Sequence, residues 1–168
     1  MLYIEPGGGL ANRMRTLVSA MELQRKTGVE IVCIWNERAE LNAPFNKLFE
    51  DISGVKIISP TPKYRYLKSI YQKNFVLRLL AKLINKFLGF DYVILEKFLK
   101  IKNINMLDML KNNINSNFYI RSCDEFTSWN YDSYQKFKPI KEIEEKIVDT
   151  YKLLSNNNWF AHKTNRPI

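Results

Sequence analysis

Residues 3–15 read YIEPGGGLANRMR, three consecutive glycines between a short apolar run and a stretch of helical periodicity. The preceding LYIE (2–5) is apolar and stops at Pro6 and the glycines, the pattern of a buried strand running into a turn. From Leu10 onward, apolar residues at 10, 14, 17, 18 and 21 follow the i, i+4, i+7, i+8 spacing, which predicts a helix to Thr27 that stops at Gly28. The rest of the chain repeats this alternation. EIVCIW (30–35) reads as a strand covered on both faces, and further strands are expected at VKIIS (55–59), DYVILE (91–96) and NFYIRSC (117–123). Helices are expected around FNKLFEDI (45–52), NMLDMLKNN (105–113) and IKEIEEKIVDTYKLL (140–154), the last with Ile140, Ile143, Ile147, Tyr151 and Leu154 along one face. Strands alternating with helices predict an α/β fold, a three-layer Rossmann-like lobe with a mostly parallel sheet. Pro60 and Pro62 read as the edge of an insertion rather than a domain boundary.

At 168 residues and 46% hydrophobic content the chain has material for one core. Cys33 and Cys123 lie far apart without a CxxC or a Cys/His neighbour, which excludes a disulfide framework and gives no zinc signature. Both are expected as buried thiols in a reducing compartment. No leader with a basic start, apolar stretch and cleavage site opens the chain, and no apolar run approaches the about 20 residues that span a bilayer. A cytoplasmic setting is expected. The net charge of +9 is mostly lysine, accompanied by many Asn and Ile, and AT-rich codons account for part of it. The stretch 63–86, KYRYLKSIYQKNFVLRLLAKLINK, is more pointed: seven Lys/Arg, no acid, and Phe75, Leu79, Leu83 and Phe87 at every fourth position. It predicts a basic amphipathic helix over 63–87, either solvated on its own domain or making peripheral contact with an anionic membrane. No RNA-binding or helix-turn-helix pattern is present, so nucleic acid is not an expected partner.

A glycine-rich turn between strand and helix lets backbone N–H groups approach an anion. Neither familiar version fits. Gly7 and Gly9 match the first two positions of G-x-G-x-x-G, but Asn12 takes the third, and no Gly-Lys-Ser/Thr completes a Walker loop. What remains is Asn12, which donates and accepts through one amide, with Arg13 and Arg15, whose planar forks suit phosphate or carboxylate. Two positions apart on a helix, the arginines do not share a face. A tight turn carrying a surface arginine pair explains the same residues.

GGGLANRMR (7–15), directly after an N-terminal strand, resembles the G-G-L-G-N-[QR] signature that opens the fucosyltransferase superfamily, whose members include α-1,2, α-1,6 (nodulation-type) and protein O-fucosyltransferases. WNERAELNAPFNKLFED (35–51), and FYIRSCDEF (118–126) leading to FKPIKEIEEKI (137–147), are similar in the same order, so the likeness spans most of the chain. Ala11 departs from the signature, standing where the commoner pattern has glycine, and its methyl limits how closely a ligand approaches. The resemblance implies one lobe of a two-lobed GT-B glycosyltransferase that transfers fucose from GDP-fucose to a glycan acceptor with inversion. It implies that Gly8, Gly9, Asn12 and Arg13 face the donor and acceptor cleft. It also implies no metal or other cofactor, because arginines neutralise the leaving diphosphate. A sugar nucleotide and a glycan acceptor are the partners it implies.

In such enzymes a second lobe opens on an H-x-R-R-x-D strand. That motif does not occur in these 168 residues, and His162, the single histidine, has no such context. The tail NNWFAHKTNRP (157–167), written in one choice of AT-leaning synonymous codons and shifted by one base, translates as Ile-Ile-Gly-Leu-His-Ile-Arg-Arg-Thr-Asp. The expectation is therefore a lobe over 1–157 and an out-of-frame or disordered tail over 158–168, the isolated chain being inactive. Among carboxylates, Glu142, Glu144 and Glu145 read as a solvent face. Asp124 follows a strand, where α/β sheets place ligands, or caps a helix. Glu5 lies nearest the loop, where it meets an acceptor hydroxyl or pairs with Arg13 or Arg15. No catalytic base is assigned. Two readings without catalysis stand beside the enzyme: an α/β anion-binding module, and a basic membrane-peripheral protein.

Overall fold

The computed structural model describes residues 1–37, 40–69, 74–96, 104–127 and 131–156. Five strands, β1 (Leu2–Pro6), β2 (Ile31–Ile34), β3 (Val55–Ile58), β4 (Tyr92–Leu95) and β5 (Phe118–Ser122), form one sheet in the order β3-β2-β1-β5-β4. Every pairing is parallel. Parallel neighbours require crossovers, and among the described residues four helices accompany the sheet: α1 (Leu10–Thr27), α2 (Phe75–Phe87), α3 (Met106–Lys111) and α4 (Lys141–Asn156). This is the α/β, Rossmann-like arrangement that the alternating pattern predicts.

Period-two alternation divides the core into two layers. Leu2, Ile4, Ile31, Cys33, Ile94, Phe118 and Ile120 join α1 and α3 in the larger cluster, where Leu17, Val18, Met21, Leu23, Met106 and Leu110 meet them. The opposite face is smaller and more aromatic: Ile34, Val93 and Tyr119 pack with Tyr64, Leu67 and Phe90. Because α1 lies between the sheet, α3 and the 3-10 turn at Tyr131–Lys136, residues 16–23 are buried all round, including Thr16, Ser19 and Glu22. Glu22 stays ionised there: a two-point contact with Arg25 (2.9 and 2.8 Å), with Lys26 at 3.1 Å, holds its carboxyl down at about 2 against the burial that opposes it.

Three local expectations change. The segment 45–52 forms only a 3-10 turn, Phe45–Lys47, because Phe49 pairs with Pro139 in an isolated antiparallel bridge. The basic stretch is not one helix from 63. Pro62–Tyr66 is a 3-10 turn, and α2 starts at Phe75 because Asn74 caps it, its Oδ1 accepting from the N–H groups of Val76 and Leu77. The third concerns a thiol. Cys33 is buried in the central sheet, but Cys123 follows the last residue of β5 and is exposed.

The two thiols should therefore differ sharply in reactivity. Burial pushes the Cys33 thiol up to about 12, although the nearby Arg13 charge pulls the other way. An alkylating reagent at neutral pH is expected to label Cys123 in the folded chain and Cys33 only after denaturation. Peptide mass mapping checks this, and equal labelling rates would contradict the buried placement of β2.

The expected tail, 158–168, lies outside the described residues, as does the side-chain packing of Tyr151 and Leu154.

Candidate functional site

The strand order reverses at β1. From β1 the chain steps outward through β2 and β3, then returns on the other side as β4 and β5. Parallel sheets leave a crevice beyond the strand C-termini at such a switch point. Here the crevice opens between the ends of β1 and β5, where the glycine loop sits.

The loop is built by steric necessity at two places. Gly7 extends the ladder, donating its N–H to Ser122 O (2.8 Å), and a Cβ there would lie 2.7 Å from Cys123 Sγ. Gly8 turns the chain at φ +72°, where a Cβ would also meet Asn12 Nδ2 at 2.8 Å. Gly9 is the extended N-cap of α1 and has open space around it. No side chain caps α1, and no acid lies in its first turn, so its leading N–H groups are not claimed by a capping side chain.

Arg13 holds this turn from below. It is fully buried, donating from Nε to Gly8 O (2.8 Å) and from Nη1 to Asn36 O (2.5 Å), with its guanidinium 5.0 Å from the Trp35 ring centroid. Trp35 is fixed in turn by an Nε1–H bond to Ala43 O (2.9 Å). The fork thus joins the β1–α1 loop to the end of β2. On the outer side, Arg15 donates to Asn12 Oδ1 (2.6 Å) and lies 3.6 Å from Asp124. Asp124 pairs with this arginine and, among the described residues, caps no helix.

Glu5 is 3% exposed at the end of β1. It pairs with Arg121, directly opposite it in the β1–β5 register, with Nη2 donating to Oε2 at 2.9 Å. Tyr119 Oη donates to the same oxygen, and Asn36 Nδ2 makes a longer contact of 3.5 Å with Oε1. Burial pushes the Tyr119 phenol far up, and the Glu5 charge adds to it, so the phenol remains a donor. Burial alone would weaken the Arg121 charge, but the facing Tyr119 and Glu5 raise it overall. Arg121 Nε is buried without a hydrogen-bond partner.

Above this group lies a cleft of about 410 Å³ whose lining includes Glu5, Asn36, Glu37, Tyr64, Arg65 and Arg121. A larger hollow of about 740 Å³ lies on the same sheet face over Tyr3, Val32 and Lys63. It runs over Met1, Glu30 and Ile31 at the strand N-termini, whereas the smaller cleft holds Glu5 and Arg121 near the strand C-termini, so the smaller cleft is the better candidate. Arg121 and Arg65 supply cations to that cleft beside the Glu37 carboxylate, and Glu5 fixes the angle of Arg121. This chemistry suits an anionic group with hydroxyls nearby. Among the described residues, no three His, Cys, Asp or Glu side chains group closely enough to hold a metal ion.

No family model matches the chain, and neither does any curated protein. Among solved structures it is similar to the crystal structure of the fucosyltransferase NodZ from Bradyrhizobium, with 20% identity and a TM-score of 0.44. The similarity covers 90% of this chain and 54% of that one, so the chain spans about half the length of that protein. A likeness of this size carries no residue-level correspondence.

Of the residues singled out from the sequence, Gly8, Gly9 and Asn12 form the loop's rim, Arg13 lies beneath it, and Asp124 sits beside it through Arg15. Glu5 lies across β1 on the cleft side. Sequence reasoning missed Tyr119, Arg121, Asn36 and Trp35. The alternation in FYIRS places Tyr119 and Arg121 on one strand face, which was a usable signal. That β5 lies against β1, bringing both to Glu5, is a matter of strand order.

Proposed function

We propose that the chain is the first lobe of a glycosyltransferase that transfers fucose from GDP-fucose to a glycan acceptor with inversion, in a cytoplasmic setting. One observation carries this: the glycine loop and the uncapped start of α1 follow directly on β1, the strand whose Glu5 holds Arg121 in the cleft at the β1–β5 switch point. The opening motif resembling the fucosyltransferase signature gives the anion its identity. In the transfer, an acceptor hydroxyl attacks the anomeric carbon from the face opposite the diphosphate. The bond from that carbon to the diphosphate oxygen breaks, and GDP leaves with the electron pair. Cations near that oxygen stabilise the developing charge without a metal. Glu5 already accepts from Tyr119 and Arg121, so its part is to hold Arg121 in place, and the acceptor's proton passes to a base of the second lobe or to water.

A second lobe supplies the donor clamp in this proposal, so the 168-residue chain alone is expected to bind GDP no better than about 1 mM and to turn over nothing. Sequencing the gene from codon 155 onward is the first test. A shifted frame that reads His-Ile-Arg-Arg-Thr-Asp and stays open supports the reading, and the extended protein should then release GDP from GDP-fucose when acceptor is added. A frame that closes at once, with micromolar phosphate or GDP binding by the chain itself, would replace the enzyme by an anion-binding module.

A further inference from the structure

Helix α2 is held to the domain by its small and polar residues. Ala81 and Asn85 are its buried positions. The Asn85 amide accepts from Lys68 N–H (3.0 Å) and donates to Lys68 O (2.7 Å), and Phe90 N–H bonds Asn85 O (2.8 Å). The large side chains point away: Phe75, Leu79, Leu80, Leu83 and Phe87 are 45–91% exposed. Single exposed apolar residues are ordinary in proteins, but a continuous arc along a whole helix is not.

The charges beside the arc identify what covers it. Arg78, Lys82 and Lys86 fall at i, i+4 and i+8, one row along the helix, and α2 itself contains no acid. The nearest described acid is Asp91, which takes Lys86 at 3.3 Å. Thirteen residues make a helix about 20 Å long, too short to cross a bilayer and long enough to lie on one. Two copies of the chain meeting through this arc would bring their cation rows together, a cost that an anionic surface turns into attraction.

We infer that α2 docks this domain on a bilayer carrying anionic lipid, with its apolar arc at the acyl boundary and Arg78, Lys82 and Lys86 among the headgroup phosphates. The inference is independent of the proposed transfer.

Co-sedimentation of the chain with phosphatidylcholine vesicles, with and without phosphatidylglycerol, tests it. Binding is expected on the anionic vesicles and should weaken as salt is added. Each cation near such a surface contributes about fivefold, so the combined Arg78→Gln, Lys82→Gln, Lys86→Gln variant should lose about 100-fold. The combined Leu79→Ser, Leu83→Ser, Phe87→Ser variant should lose binding altogether while keeping its far-UV circular dichroism, since these side chains are exposed. A wild-type chain that stays in the supernatant overturns the inference, as does a cation variant that binds undiminished. So does a lipid-free dimer in analytical ultracentrifugation that the serine variant abolishes, because the arc would then belong to a second copy.

Discussion

Replacing Arg13 by methionine is expected to destabilise the chain by about 3–5 kcal/mol, the cost of stranding two carbonyl acceptors that a buried guanidinium satisfies. The size follows from what the fork holds. Arg13 is fully buried, and its loss strands Gly8 O and Asn36 O, whose donors it supplies at 2.8 and 2.5 Å. Methionine fills part of the volume but donates nothing. For a domain of this size each kcal/mol moves Tm by about 2–4 °C, so a drop of about 6–20 °C should appear in a thermal melt. Arg13→Lys separates bracing from ligand contact. One ammonium does not reproduce a planar fork that reaches two carbonyls, so lysine should recover only a minor part of the loss. Full stability in the lysine variant, with anion binding lost, would instead make Arg13 a ligand contact and sink the bracing role.

The second large effect is expected at Glu5. Glu5→Ala should cost about 2–3 kcal/mol, mostly from the Tyr119 hydroxyl left buried without its acceptor. Arg121 contributes less to the loss because its side chain remains 37% exposed and can turn to water. Tyr119→Phe removes the donor while Glu5 keeps Arg121, and about 1 kcal/mol is expected there. Urea titration of both variants and the double variant should show the double costing clearly less than the sum, since the two groups share one bond. The pH dependence carries a sign. The folded phenol is held above its unfolded value of about 10, so stability is full below that pH and declines as pH rises past it. Tyr119→Phe should flatten that alkaline limb. Additive losses together with an unchanged alkaline limb would mean that Glu5 and Tyr119 are not coupled.

Much of the site was legible before any coordinates. The strand LYIE, the glycines and the spacing from Leu10 to Met21 place a loop and a helix start at the end of β1, because local sterics and hydrophobic periodicity act over a few residues. Glu5 was singled out by its position, and the basic amphipathic stretch by its composition. The mistakes are of one kind. Sequence offers Glu5 an acceptor hydroxyl or its neighbours Arg13 and Arg15, and the ion pair the fold supplies is with a residue 116 positions away. Asp124 as a helix cap gives way to a pairing with Arg15, distant in sequence. Phe45–Ile52 has the periodicity of a helix, but a bridge from Phe49 to Pro139 prevails over it.

By itself, then, the sequence determined the α/β class, the glycine turn at the end of β1 and the amphipathic character of residues 75–87. These follow from backbone sterics and from apolar periods of 2 and 3.6, which neighbouring residues settle among themselves. Only the tertiary structure decided which charge meets which, and which face of α2 is covered. Both depend on strand order, since inserting β5 between β1 and β4 sets Arg121 opposite Glu5. The helix face is chosen by Asn85 bonding the backbone of Lys68, a contact between segments that no local period encodes.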